Sequence, residues 1–424
     1  MAGDIVRFVH CGDLHLDAPF DRLEDIPGGL APAIHGAPLR CWERIVTLAI
    51  ERGVDFVLLA GDLFDDVDRT LRAQLALVKG LERLSGAGIG AFIVCGNHDS
   101  LAGWEARLPF PPGVYRFGGT AESLPFVRGG KTVATVTGYS YPQRRVEENV
   151  ARLLRPSGEG FQIALLHANV GHRREHGDYA PCALEDLVAS GMDYWALGHI
   201  HAPGVLREAS PAVVYPGIPQ GRRAHETGPR GCYVVTLGRG APDLEFVETD
   251  LVRRERRGLD IASLGTEQEL VRALEALRND VRLDGGRGVL LRVELRGRGE
   301  LHDTLIRPGI VADLELHLRE GEELREDFVW TEALEDRTAS WANREALSQE
   351  DHFVGDFLRS VEALEGAEDL VARVTALLDA DPEGAGWNDR NVVPLVEELL
   401  RQEAEEIFDQ VKTRGLDGLL RQEG

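Results

Sequence analysis

Residues 91–100 read AFIVCGNHDS. An apolar run stops at Gly96, and an amide, an imidazole and a carboxylate follow at Asn97, His98 and Asp99. Aromatic and β-branched residues suit a pleated, buried surface, so the run is expected to be a core strand. The three polar residues are not core chemistry. Successive side chains of an extended segment point opposite ways, so they cannot share one neighbour. Asn and Asp are common turn formers, and on these ten residues a plain polar turn is as good a reading as the rim of a reactive site.

The flanking chain repeats the design. DIVRFVHCGDLH, VDFVLLAGDLF, FQIALLHAN and MDYWALGHIH each run from an apolar strand into a polar turn. Between the first strands, Leu39, Trp42, Ile45, Val46, Ala49 and Ile50 recur at helical steps up to Gly53, and Leu71, Leu75, Val78, Leu81 and Leu84 mark a second helix closed by Gly86. Strand and helix alternating in this way predict an α/β fold. Ligands in such sheets sit at the carboxyl ends of the strands, where all these polar clusters fall.

The strand ends collect Asp13, His15, Asp62, Asn97, His98, Asp99, His167, His199 and His201, including five of the thirteen histidines. Residues two apart in an extended segment face the same way, so Asp13 with His15, and His199 with His201, can each offer paired ligands. Imidazole, carboxylate and one amide oxygen, with no thiolate, suit Mn, Fe, Zn or Ni in a reactive site rather than a structural zinc. Seven candidate ligands exceed what one tetrahedral ion uses and are about right for two. A GKT tripeptide within residues 128–133 has Pro125 where a phosphate-binding loop needs its first glycine, and is expected to be a hairpin.

Composition sets the frame. A chain of 424 residues with 43% hydrophobic and 28% charged residues predicts two or three globular domains with sizeable cores. Its apolar runs are strand-sized, which predicts no membrane span, and the first residues lack a signal core. Five cysteines without CxxC spacing point to a reducing, cytoplasmic setting. The net charge is −24, and from Trp341 onward eight basic residues face twenty acidic ones. So acidic a chain is a poor general coat for nucleic acid, whose binding rests on cations at phosphates, but metal ions and a few arginines can supply a local positive field. Domains are expected at residues 1–250, at 255–340 as a small α/β unit, and at 341–424 as an acidic helical tail. The tail carries an apolar stripe at Val393, Leu395, Leu399, Leu400 and Ile407.

The order D-x-H, GD, GNHD, a lone His and GHxH resembles the calcineurin-like metallophosphoesterases over roughly residues 4–237. That resemblance implies an α/β two-sheet sandwich flanked by helices, binding two divalent metal ions, with manganese the first choice. It implies that Asp62 bridges the ions, that Asp13, His15 and His201 complete one, and that Asn97, His167 and His199 complete the other. It makes His98 a non-liganding catalytic histidine beside the scissile phosphate and Asp99 its orienting partner. CGDLHLDAPF, AGDLFDD, residues 176–201 and YPGIPQGRRAHETGPRGCYVV narrow the likeness to the SbcD-type DNA repair nucleases, on the bacterial YhaO branch. This implies a capping domain after the phosphoesterase domain, DNA as substrate, and a helical tail that binds an SbcC-like coiled-coil ATPase; it also admits a homodimer. Archaeal and eukaryotic relatives have histidine at the position of Asp65, so that histidine's substrate-positioning role is not carried over.

Tyr141, Gln143, Arg144, Arg145, Arg173, Arg174, Arg222, Arg223 and His225 fall in loops at or near the strand ends. Arginine pairs are usually just solvated, but here bidentate contact with phosphate is a second reading. Asp65, Arg144, Arg145, Arg222 and Arg223 are the candidate substrate contacts. The leading functional reading is a DNA phosphodiesterase within an ATPase–nuclease assembly. Its alternatives are a nucleotide or small-molecule phosphodiesterase or phosphatase, and a non-catalytic scaffold; the intact ligand set disfavours the scaffold.

Overall fold

The computed structural model describes residues 5–365 apart from 17, 22–25, 66–69, 104–107, 172–178, 340–346 and 350, together with 370, 407, 408, 411, 412, 415 and 419. Arg173, Arg174 and the stripe from Val393 to Leu400 lie outside the described residues.

Four parallel strands begin the first sheet. They are β1 (Val6–Cys11), β2 (Phe56–Ala60), β3 (Gly90–Val94) and β4 (Val114–Arg116). Helices α1 (Ala31–His35) and α2 (Ala37–Glu51) connect β1 to β2, and α3 (Leu71–Gly86) connects β2 to β3. Both long helices lie where the apolar periodicity placed them. The chain then crosses to a second sheet with β5 (Glu122–Arg128), β6 (Lys131–Tyr139), β7 (Phe161–His167), α4 (Leu184–Val188), β8 (Tyr194–Gly198), β9 (Gly204–Arg207) and β10 (Ala212–Tyr215). It returns through β11 (Gly231–Leu237) and β12 (Asp243–Glu248). The sheet orders are β12-β11-β1-β2-β3-β4 and β5-β6-β7-β8-β10-β9. The GKT decoy is the β5–β6 hairpin, in which Arg128 pairs with Lys131 around Gly129 and Gly130.

Alternation along each strand builds three layers of core. Phe8, Phe56, Phe92 and Val94 from one sheet meet Val136, Ile163, Leu165, Tyr194 and Val214 from the other. The opposite face of the first sheet packs Val57, Leu59 and Ile93 against Trp42, Ile45 and Leu81 of α2 and α3. The outer face of the second buries Leu166, Trp195 and Val213 with Val150, Leu154 and Leu187. This is the two-sheet sandwich with helices on its outer faces.

His10 shows how strictly the interior is satisfied. It is fully buried on β1; its Nε2 donates to the Leu197 carbonyl at 3.1 Å and its Nδ1 accepts from the Tyr194 hydroxyl at 2.9 Å. Burial lowers its pKa from 6.5 to about 3. The unfolded chain therefore takes up more protons between those values, so this histidine's contribution is complete above 6.5 and is lost as pH falls toward 3. Urea midpoints followed from pH 7 down to about 4.5 are expected to fall less steeply for His10→Gln than for the parent chain.

The chain divides into two compact units, residues 1–256 with 280–291 and 319–330, and residues 257–279, 292–318 and 331–424. The stretch LVRRERRG (251–258) lies at this division and forms the start of strand β13 (Val252–Asp260). Its first arginine is absorbed by an ion pair: Arg253 binds Asp250 at 2.8 Å and Glu248 at 2.7 Å. After it come α5 (Glu267–Gly285), β14 (Gly288–Arg296), α6 (His302–Leu305), α7 (Ile310–Arg319), β15 (Val329–Asp336) and α8 (Phe353–Glu365). The three strands form a sheet in the order β13-β14-β15. Leu270, Leu274, Val293, Leu295 and Leu334 are buried in the second unit.

Candidate metal centre

All the candidate ligands leave the carboxyl ends of parallel strands. Asp13 and His15 follow β1, Asp62 follows β2, Asn97 follows β3, His167 ends β7, and His199 and His201 follow β8. Ligand atoms of Asp13, His15 and His201 lie within 4.8 Å of one another, as do those of Asp13, Asp62 and His167. Asp62 Oδ2 stands 3.3 Å from His167 Nε2 and 3.9 Å from His15 Nε2, between the two rings. Asn97 Oδ1 is 3.0 Å from the same His167 nitrogen. His199 falls outside both tight sets; its ring meets that of His167 edge-on at 5.1 Å, and its backbone N–H donates to both Asp13 carboxylate oxygens at 3.1 Å.

The backbone is strained where the ligands sit. Asp13, His15, Asp62 and His199 have φ of 51°, 40°, 50° and 99°, and Ala180 is the other non-glycine residue with positive φ among those described. Such conformations cost about 1–3 kcal/mol each and persist only where the surroundings over-determine them. Here the N–H of Asp13 donates to the Gly61 carbonyl at 2.9 Å and that of His15 to the Asp62 carbonyl at 3.1 Å. Glycine precedes Asp62, Asn97 and His199 for lack of space: a Cβ on Gly96 would meet the Asp62 carboxylate, and one on Gly198 the Ala60 carbonyl.

Oxygen acceptors hold one nitrogen of three of the rings. His15 Nδ1 pairs with Asp65 at 2.6 Å, His167 Nδ1 with the Ala60 carbonyl at 2.9 Å, and His201 Nδ1 with Glu226 at 2.6 Å. That arrangement fixes the tautomer and turns each Nε2 toward the carboxylates, as in metal sites generally. His15 Nε2 is buried with no hydrogen-bond partner, a nitrogen lone pair facing the cluster. Burial alone would raise the Asp62 carboxyl; the His167 charge and hydrogen bond, with His15 and His98, hold it well below the usual carboxylate range. Burial also raises Asp13. Imidazole and carboxylate donors with one unpaired ring nitrogen fit divalent cations.

Asp99 is corrected. Its carboxylate accepts from the backbone N–H groups of Gly96 at 2.6 Å, Leu63 at 2.8 Å and Asp62 at 3.2 Å. It therefore locks the β3 turn to the β2 turn and does not orient His98, because neighbours in a tight turn point apart. The carboxylate beside His98 is Asp65, whose Oδ1 lies 3.3 Å from His98 Nδ1. Asp65 also takes Arg222 Nη1 at 3.1 Å. Burial alone would raise the Asp65 carboxyl, but the His15 hydrogen bond and charge, with Arg222, hold it well below its ordinary value. Asp65 thus stands against two histidines, His15 at 2.6 Å and His98 at 3.3 Å. His98 donates its backbone N–H to Asp62 at 2.9 Å and leaves its side chain 28% exposed, while His15 and His167 are fully buried.

Of the other substrate candidates, Arg222 is buried on Asp65, and Arg144, Arg145 and Arg223 are exposed. Arg145 pairs with Glu147 at 2.7 Å. Tyr141 is fully buried, edge-on to the His167 ring at 5.7 Å. The sequence reading missed Glu226, an acid in a polar loop whose burial no local pattern announces, and Arg230, whose Nη1 donates to the His201 carbonyl at 2.6 Å.

The family profile for calcineurin-like phosphoesterases matches residues 6–203, and that for the middle domain of metallophosphoesterase YhaO matches residues 255–339. The uncharacterized metallophosphoesterase YhaO of Bacillus subtilis is 35% identical over 371 residues, covering 86% of this chain and 90% of that protein. A DNA double-strand break repair protein Mre11 from Aeropyrum pernix is 29% identical over 280 residues, and one from Haloferax volcanii 28% over 312. They cover 61% and 70% of this chain, which spans 65% and 62% of their lengths. The chain belongs to the calcineurin-like metallophosphoesterase family of metal-dependent phosphoester hydrolases.

Proposed function

We propose that the chain is a two-metal phosphodiesterase acting on DNA, the nuclease subunit of an assembly with a coiled-coil ATPase. The observation that carries the reading is the division of labour among the histidines. His15 and His167 are buried with one nitrogen each held by an oxygen, whereas His98, beside them, opens to solvent on the Asp65 carboxylate. Asp13, His15, Asp62 and His201 would hold one ion, and Asp62, Asn97, His167 and His199 the other, with manganese the expected metal. When bound, the pair supplies Lewis acidity toward the phosphoryl group and activates the attacking water.

His98 then acts as the acid. With Asp65 Oδ1 3.3 Å from its Nδ1, the other nitrogen is placed to deliver a proton to the departing oxygen. The exposed Arg144 and Arg223 are candidates for contact with flanking phosphates. DNA as substrate draws support from the Mre11 relatives, described as DNA double-strand break repair proteins. The acidic segment 341–424 is assigned to the ATPase.

The test is hydrolysis by the manganese-loaded chain of end-labelled linear duplex DNA, bis-nitrophenyl phosphate and nitrophenyl phosphate. Manganese-dependent release of nucleotides, with the diester cut faster than the monoester, is the expected result. Monoester hydrolysis with DNA left intact would make the chain a phosphatase. Full metal loading without any hydrolysis would make it a scaffold.

A further inference from the structure

We infer that Glu226 is a positioning residue that sets the metal affinity of His201. The inference rests on the two-metal reading above. Glu226 is only 1% exposed, although Arg223 and His225 in the same loop are exposed. A carboxylate so buried is costly unless hydrogen bonds satisfy it. One oxygen takes His201 Nδ1 at 2.6 Å; the other takes the backbone N–H groups of Arg222 at 2.7 Å and Arg223 at 2.9 Å. The turn closes when the Glu226 N–H donates to the Arg223 carbonyl at 3.0 Å. Gly221 admits it, since a Cβ there would press on the Glu226 backbone oxygen.

Two chains of contact leave this one carboxylate. The first goes directly to His201, whose own carbonyl is gripped by Arg230 at 2.6 Å. The second goes through the Arg222 backbone to its guanidinium, then to Asp65 at 3.1 Å, and from Asp65 to His15 at 2.6 Å and His98 at 3.3 Å. Metal-ligating histidines with a carboxylate on the second nitrogen are better donors and better aimed, and losing that partner costs about 10–100-fold in metal affinity. Glu226 is thus placed to act on an ion it does not touch.

The experiment is calorimetric titration of the metal-free protein with Mn²⁺ for the parent chain, Glu226→Gln, His201→Ala and the double variant. Glu226→Gln is expected to weaken one of the two ions by about 10–100-fold, leaving the other and the melting of the metal-free protein nearly unchanged. In the His201→Ala background the same substitution is expected to alter affinity by no more than about twofold. Glu226→Asp, which keeps the charge and the backbone N–H groups but draws back from the imidazole, reads the same quantity should the glutamine variant fail to fold. Parent-like affinity in the Glu226 variants, or equal weakening with and without His201, overturns the inference while the metal centre stands. Undiminished binding of both ions by His201→Ala overturns the ligand assignment and the inference with it.

Discussion

Asp62→Ala is expected to leave the protein without either ion after gel filtration, whereas His15→Ala keeps one. Asp62 is the carboxylate that faces both buried rings, at 3.3 Å from His167 and 3.9 Å from His15, and its second oxygen takes the His98 N–H at 2.9 Å. Removing it withdraws a donor from both sets and leaves His167 without the charge that it faces. Phosphodiester hydrolysis should fall by roughly 10³-fold or more, since the loss of a single electrostatic element of such a site already costs about 10²–10³-fold. Elemental analysis for manganese checks the occupancy, and two ions retained by Asp62→Ala would end the bridging assignment.

His98→Ala separates chemistry from binding. It is expected to keep both ions, the fold and DNA affinity, while hydrolysis of DNA drops by about 10²–10⁴-fold, the usual worth of a positioned acid. The loss should shrink for a nitrophenyl ester, whose leaving group needs little protonation. Asp65→Asn should reproduce part of the effect, because the amide keeps the shape beside His98 Nδ1 without the charge. A variant at His98 that loses an ion, or that cuts DNA at the parent rate, would refute the role given to this residue.

The turns and the long helices are legible in the sequence alone. The β3 turn announces itself because Asn97 and His98 interrupt an apolar run with no packing reason to do so, and the same abrupt change marks Asp13, Asp62, His167 and His199. Helices α2 and α3 were legible because one face of each must be apolar to cover the sheet. What escaped were relations between distant residues. Asp99 sits next to His98 in sequence, yet its carboxylate turns to three backbone N–H groups, while the acid beside the His98 ring comes from another strand. Glu226 reads as a solvated loop acid until its partners His201 and Arg222 are known. The strand β13 was obscured by its run of arginines, the first of which, Arg253, pairs with Glu248 and Asp250.

The proposed ligands come from both sheets: Asp13, Asp62 and Asn97 from the first, His167, His199 and His201 from the second. Cations bound there would cross-link two layers whose strands lie far apart along the chain; the His199 N–H reaches Asp13 across 186 residues. Contacts of such sequence separation form late in folding, after the loop-closure entropy has been met. During synthesis strands β1–β4 emerge carrying half of the proposed donor set, which is not expected to hold the ions firmly until β8 has been made and docked. Chains cut short before residue 201 are therefore expected to lack part of the proposed donor set and to be inactive. The same geometry makes metal a clasp on the seam between sheets, so chelators should lower the resistance of this half of the protein to proteolysis as well as its activity.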